Sequence, residues 1–225
     1  MKITIRQLHP YLNALAAGLV FFALYLVFVY VPNERIMGPV QRIFYFHVSS
    51  AIACYCAIAS MLVSGIWLLW KNDMRLGPVV LAAAEVAFVF SSITLLTGMT
   101  WGDAAWNTPF RFEPRLVSFL LLWLVLLSTQ LMKMFIEGDK LFIMAAVMGI
   151  VAALTSPLVI FSIKLLPAAI QLHPQVLGNR GLDFPGFQLA FGITLPAVCM
   201  LQFSLLILRA RQAILENKIR ILSAS

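Results

Sequence analysis

The chain has 225 residues, of which 62% are hydrophobic and 11% charged, with a mean hydropathy of +0.95 and a net charge of +7. That balance excludes an ordinary soluble domain, in which about a quarter of the residues are charged. The 16 basic residues lie between apolar runs instead of along one stripe, which argues against nucleic acid as a partner and leaves membrane lipid as the main surroundings.

A membrane span needs roughly 20 mostly apolar residues. The first such run, 11–31, follows Lys2 and Arg6. It is longer than a signal-peptide core and no small-x-small cleavage pattern follows it, so a retained helix is expected. Further runs fall at 44–70, 77–99, 116–134, 141–166 and 186–208. The expected fold is therefore an all-α polytopic membrane protein, a single membrane domain over 1–225 with six transmembrane helices. Pro157 and Pro196 sit inside the last two runs and predict kinks. Six spans bring both termini to one side. That side carries Lys2, Arg6, Lys71, Arg75, Lys133, Lys140, Arg209, Arg211, Lys218 and Arg220, against Arg35, Arg42, Arg111, Arg115, Lys164 and Arg180 opposite. The excess predicts cytoplasmic N- and C-termini.

Cys54, Cys56 and Cys199 all lie within apolar runs and read as buried structural thiols. There is no CxxC redox pair and no CxxCH, so covalent attachment of c-type haem to this chain is not expected.

Three segments, 32–43, 100–115 and 167–185, fall on the outer side, each longer than the inner turn 71–76, and chemistry concentrates in such loops. Of three histidines, His9 precedes the first span and reads as solvated. His47, in RIFYFHVSS, opens the second span, and His173, in IQLHPQ, lies in the last outer segment. The topology puts both at the outer edge, where two imidazoles could ligate one metal, bind the two faces of one haem, or form only local hydrogen bonds. The loop between the third and fourth spans adds Trp101, Trp106, Phe110 and Phe112 beside Arg111, Glu113 and Arg115, with Pro109 and Pro114 limiting a continuous helix. An interfacial aromatic belt is the ordinary reading of such residues. Their crowding into one loop suggests instead a shaped apolar surface, and a flat macrocycle with two carboxylates needs aromatic walls, axial ligands and cations near its rim.

This loop resembles the tryptophan-rich motif of the haem-handling membrane proteins of cytochrome c biogenesis, and within them the heme exporter protein C (cytochrome c maturation protein C) family. That family's pattern is approximately WGxxxWGTWWxWDxRLTS. Laid on it without gaps, Trp101, Gly102, Trp106, Thr108, Arg115, Leu116 and Ser118 match, while Asn107 replaces a glycine, Pro109, Phe110 and Phe112 replace tryptophans, and Glu113 replaces an aspartate. RIFYFHV around His47 and the six-span layout are similar to the family as well. The resemblance implies His47 and His173 as axial ligands of a non-covalent haem b. It also implies Trp101, Trp106, Phe110 and Phe112 as the platform, Arg115 as a propionate partner, and Glu113 orienting that arginine or aiding release. It further implies a binding and delivery protein, not an enzyme, in a bacterial inner membrane. Such a protein would work with an ABC-type ATPase and other membrane subunits and pass haem to a periplasmic haem chaperone or apocytochrome c.

No lysine follows a glycine as in a nucleotide-binding loop, so any ATP-driven step needs partner subunits. Two other functions compete. A cytochrome b type electron carrier would want a second haem near the inner side, where His9 is the one histidine. An ion-coupled small-solute transporter could use Glu85, which lies inside the third run and is either functional or paired structurally, for instance with Gln130.

Overall fold

In lipid every backbone N–H and C=O must be satisfied within the protein, so long apolar runs become helices. A computed structural model describes residues 5–165 and 184–224, with side chains described for 9–162 and 184–223. His173 lies outside the described residues, as does most of the last outer segment. Six helices follow in order: α1 (Ile5–Tyr25), α2 (Arg42–Lys71), α3 (Gly77–Trp106), α4 (Pro114–Met132), α5 (Gly138–Leu165) and α6 (Pro185–Ala224). Each contains a stretch long and apolar enough to cross a membrane, and no strand occurs among the described residues.

Two helices outrun their apolar stretches. α3 continues through Trp106, so residues 100–106, expected as loop, are helical. It stops where Asn107 turns to φ 57°, with its N–H closing the final turn on Asp103 O at 3.0 Å. α6 runs 40 residues to Ala224, about 60 Å of helix path against a hydrocarbon core of roughly 30 Å.

The chain forms two compact units. The first comprises Met1–Ala53, Ile93–Arg111 and Leu172–Ser204. Its core joins Leu26, Val27 and Val31 to Tyr45, Phe187 and Ala190, with Phe44, Phe46 and Phe191 packed around them. α1 ends there in a single wide turn, Leu26–Tyr30, whose closing bond runs from Val31 N–H to Leu26 O at 2.9 Å. Beyond the core, His9 is buried, with Nε2 3.3 Å from Ser204 O and Asn13 Nδ2 3.5 Å from Nδ1. Ser204 Oγ donates in turn to Asn13 Oδ1. This corrects the expectation of a solvated His9: on a helix facing another helix, the ring finds a backbone carbonyl to satisfy it.

The second unit comprises Cys54–Ser92, Phe112–Gln171 and Leu205–Ser225. Helix packing in lipid relies on close fit and side-chain hydrogen bonds. Here α4 and α5 pack together, and Trp123 Nε1 donates to Ser92 Oγ at 2.9 Å. The buried Cys54 thiol donates to Ala87 O at 3.6 Å, as expected of a structural thiol, whereas Cys56 is exposed on the helix surface. Glu85 is held by two cations: Lys133 Nζ at 2.7 Å from Oε1, and Arg209, whose Nη2 lies 3.2 Å from Oε1 while Nε donates to Oε2. Arg209 also reaches Glu216 at 3.1 Å. Glu85 is thus paired, with Lys133 and Arg209 in place of the Gln130 considered from sequence.

Candidate functional site

His47 lies in the second turn of α2, directly after three aromatic residues that fix its direction. Tyr45 is fully buried, and its hydroxyl accepts from Gln41 Nε2 at 2.9 Å. Phe44 packs on Phe191 with ring centroids 5.4 Å apart, and Phe46 stacks on Phe28 at 5.9 Å. Anchored on several sides, this turn of α2 has little rotational freedom, and the half-buried His47 ring is aimed accordingly.

That ring meets α3. Nδ1 lies 3.1 Å from Thr97 Oγ1, and the ring edge rests on the bare backbone of Gly98, where a Cβ would stand 2.9 Å from His47 Cε1. Such an approach requires glycine. Trp101 follows Thr97 by four residues, so it occupies the same face of α3 one turn on. Its ring meets Trp106 edge to face, at 5.0 Å between centroids and 86° between planes. The turn after Trp106 folds back on α3 at Gly102, where a Cβ would lie 3.3 Å from Trp106 Cε3 and 3.4 Å from Pro109 O. Arg111 then caps the cluster, with its guanidinium 5.7 Å from the Trp106 ring centroid and Nη2 donating to Trp106 O at 3.3 Å. Phe110 is half-buried, and its carbonyl accepts from Thr108 Oγ1 at 3.2 Å.

The first unit therefore gathers His47, Trp101, Trp106 and Phe110. Phe112, Glu113 and Arg115 belong to the second unit. There Phe112 is 89% exposed, while Glu113 is buried and caps α4, its carbonyl accepting from Val117 N–H at 3.0 Å. Pro114 takes the first helical position, where a missing N–H costs nothing, and Arg115 follows, half-buried. Among the described residues no three of His, Cys, Asp and Glu converge on a metal site.

Two participants were not singled out from sequence. Thr97 and Gly98 look like ordinary members of an apolar helix, whereas Arg111 was noted beside the rings but given no role, since it occupies an unspecified position of the motif. The replacement of glycine by Asn107 also gains a physical account. At φ 57° glycine and asparagine are the residues that fit most readily.

Chemically the first unit offers one imidazole held by a partner on Nδ1, two indole rings in mutual contact with a guanidinium on one of them, and a phenyl ring. This set suits a flat, apolar, metal-bearing ring with acidic edges, and the described residues fit a haem in kind.

A family model described as heme exporter protein C matches residues 1–225. Curated relatives of that name include the protein of Bradyrhizobium diazoefficiens, 26% identical over 227 residues (98% of this chain, 83% of the relative). Those of Paracoccus denitrificans and Escherichia coli are 35% identical over 98 residues and 38% over 96. The matched stretches span 40% and 39% of those two relatives, and 43% and 42% of this chain. With its whole length matched by the family model and six spanning helices, this chain belongs to the heme exporter protein C family.

Proposed function

We propose that this protein binds haem b non-covalently at the outer face of a bacterial inner membrane and hands it on during cytochrome c assembly. The observation that supports this most is that one compact unit holds both the His47–Thr97 pair and the Trp101–Trp106–Arg111 contacts, with Trp101 one turn along α3 from Thr97. Bound haem supplies an iron that accepts a neutral imidazole and a porphyrin face that stacks on aromatic rings.

In this reading His47 gives one axial nitrogen and His173 the other, a role for His173 that rests on the sequence resemblance alone. Trp101, Trp106 and Phe110 form the wall, and Arg111 meets a propionate by charge-assisted hydrogen bonds. For Phe112, Glu113 and Arg115 the roles of platform ring, arginine-orienting carboxylate and propionate partner rest on the sequence resemblance alone. Non-covalent holding suits delivery, because the cargo must leave. Partners are an ABC-type ATPase with other membrane subunits, since no lysine of this chain follows a glycine as a Walker A lysine must, and a periplasmic haem chaperone or apocytochrome c as recipient. Cytoplasmic termini follow from the charge asymmetry of the flanks.

Titrating the purified full chain in detergent with iron protoporphyrin IX tests this. The expected result is one saturable site whose haem is fully removed by acidified organic solvent, with weakened binding and an altered Soret band in His173→Ala. Absence of saturable binding, or haem that resists extraction, would refute the reading.

A further inference from the structure

The hydrogen bonds around Thr97 determine which nitrogen of His47 carries the proton. Thr97 Oγ1 lies 2.7 Å from Ile93 O and 3.1 Å from Thr94 O. Two oxygens at 2.7 Å repel unless a proton lies between them, and the carbonyl has none to give. The threonine hydroxyl hydrogen is therefore directed at its own helix. Toward His47 Nδ1, at 3.1 Å, Thr97 Oγ1 has only a lone pair to offer, so Nδ1 must be the donor. A neutral imidazole carries one ring proton, and with that proton on Nδ1 the lone pair is on Nε2.

We propose that Thr97 is a positioning residue that fixes His47 as the Nδ1–H tautomer, and that Gly98 sets the ring's tilt, so that Nε2 is presented as the metal-binding nitrogen before haem arrives. The inference deepens the reading of His47 as a haem ligand and rests on it, although the tautomer itself is a property of the protein without haem. The logic is that of outer-shell partners generally: holding the distal N–H fixes ring orientation and raises the basicity of the ligating nitrogen, and loss of such a partner costs roughly tenfold to a hundredfold in metal affinity. A threonine bond is neutral, which points to the lower end. Gly98 acts sterically, because a Cβ at 2.9 Å from Cε1 would push the ring off its axis.

With only three histidines in the chain, ring nitrogens labelled with 15N give a readable spectrum of the haem-free protein in detergent micelles. His47 is identified by the signal lost in His47→Gln. At about pH 8.5, above the ordinary histidine range, the account expects His47 as the Nδ1–H form in the wild type and in Thr97→Ser, which keeps the oxygen. A mixture or the Nε2–H form is expected in Thr97→Val. With iron protoporphyrin IX bound, Thr97→Val should release haem to a scavenger about tenfold faster, with a shifted iron–histidine stretching band. Gly98→Ala should shift that band while keeping the tautomer. An Nε2–H form in the wild type, or a Thr97→Val protein unchanged in both tautomer and haem release, would overturn the inference. If His47→Ala left the haem spectrum untouched, the proposed function would fall, and the tautomer measurement on haem-free protein would still decide the role of Thr97.

Discussion

Two polar regions lie in this mostly apolar chain, and they solve the same problem differently. In the second unit Glu85 sits within a spanning helix, yet both its carboxylate oxygens bond to cations, Lys133 from the turn after α4 and Arg209 from α6, and Arg209 continues to Glu216. Charge placed in lipid is expensive, and here it is cancelled by partners from the chain itself. In the first unit His47 is held through Nδ1, and the aromatic residues beyond it are ordered by one another and by Arg111. A closed ion cluster serves the fold. The oriented imidazole of the other region is the one to which the proposed function gives a ligand role. The comparison also weighs against a transporter built on Glu85, because its two oxygens already bond to Lys133 and Arg209 and so serve the packing of this unit.

Substitution in the two regions should separate binding from stability. The largest effect is expected for His47→Ala. Losing an axial nitrogen should lower haem retention by more than the roughly tenfold to hundredfold typical of outer-shell changes, while the thermal midpoint in detergent moves little. Glu85→Gln should do the reverse. Removing the carboxylate strands Lys133 and leaves Arg209 with Glu216 alone, a cost of about 1–3 kcal/mol for a partly exposed cluster. That loss appears as a lower thermal midpoint with an unchanged haem spectrum, and a changed spectrum would contradict the division drawn here.

Trp106→Ala removes an edge-to-face pair worth about 0.5–1.5 kcal/mol and a cation–π contact of about 0.5–1 kcal/mol. A roughly tenfold faster haem loss is expected, partly restored in Trp106→Phe, and equal loss rates in all three proteins would remove the indole from the wall. The smallest effect is one of pH. N–H bonds from Met37 and Ile36 hold the Glu34 carboxyl below the ordinary range. A depressed pKa in the fold means the turn is favoured above the ordinary carboxylate range and loses that support as pH falls through the lower folded value. Lower amide protection at Ile36 and Met37 on acidification, measured against the intrinsic exchange rate at each pH, with no change in protection near Trp106, would show it.

The six helices were legible because each has a long apolar stretch, and hydropathy reads that directly. Their ends were not: hydropathy reports where lipid stops, whereas α6 stays helical to Ala224 because Glu, Lys, Arg, Leu and Ala continue a helix well in water. His9 was misread because its partner Ser204 is 195 residues away in sequence. Glu85 stood out as a charge in an apolar run, but nothing local names Lys133 and Arg209 as its partners. In the candidate site the rings were visible as a cluster, and Gly102 and Trp106 as motif members. Thr97 was hidden because a threonine in a spanning helix usually satisfies its hydroxyl on its own backbone, as this one also does, and the lone pair it lends to His47 leaves no mark in the sequence.

The central claim is that the His47 imidazole meets the haem iron, and chemical rescue addresses it most directly. His47→Gly removes the side chain and leaves room for a free imidazole, so the reduced haem spectrum of that variant should lose its wild-type form and regain it as imidazole is added. A His47→Gly protein that shows the wild-type spectrum with no imidazole present would contradict the account.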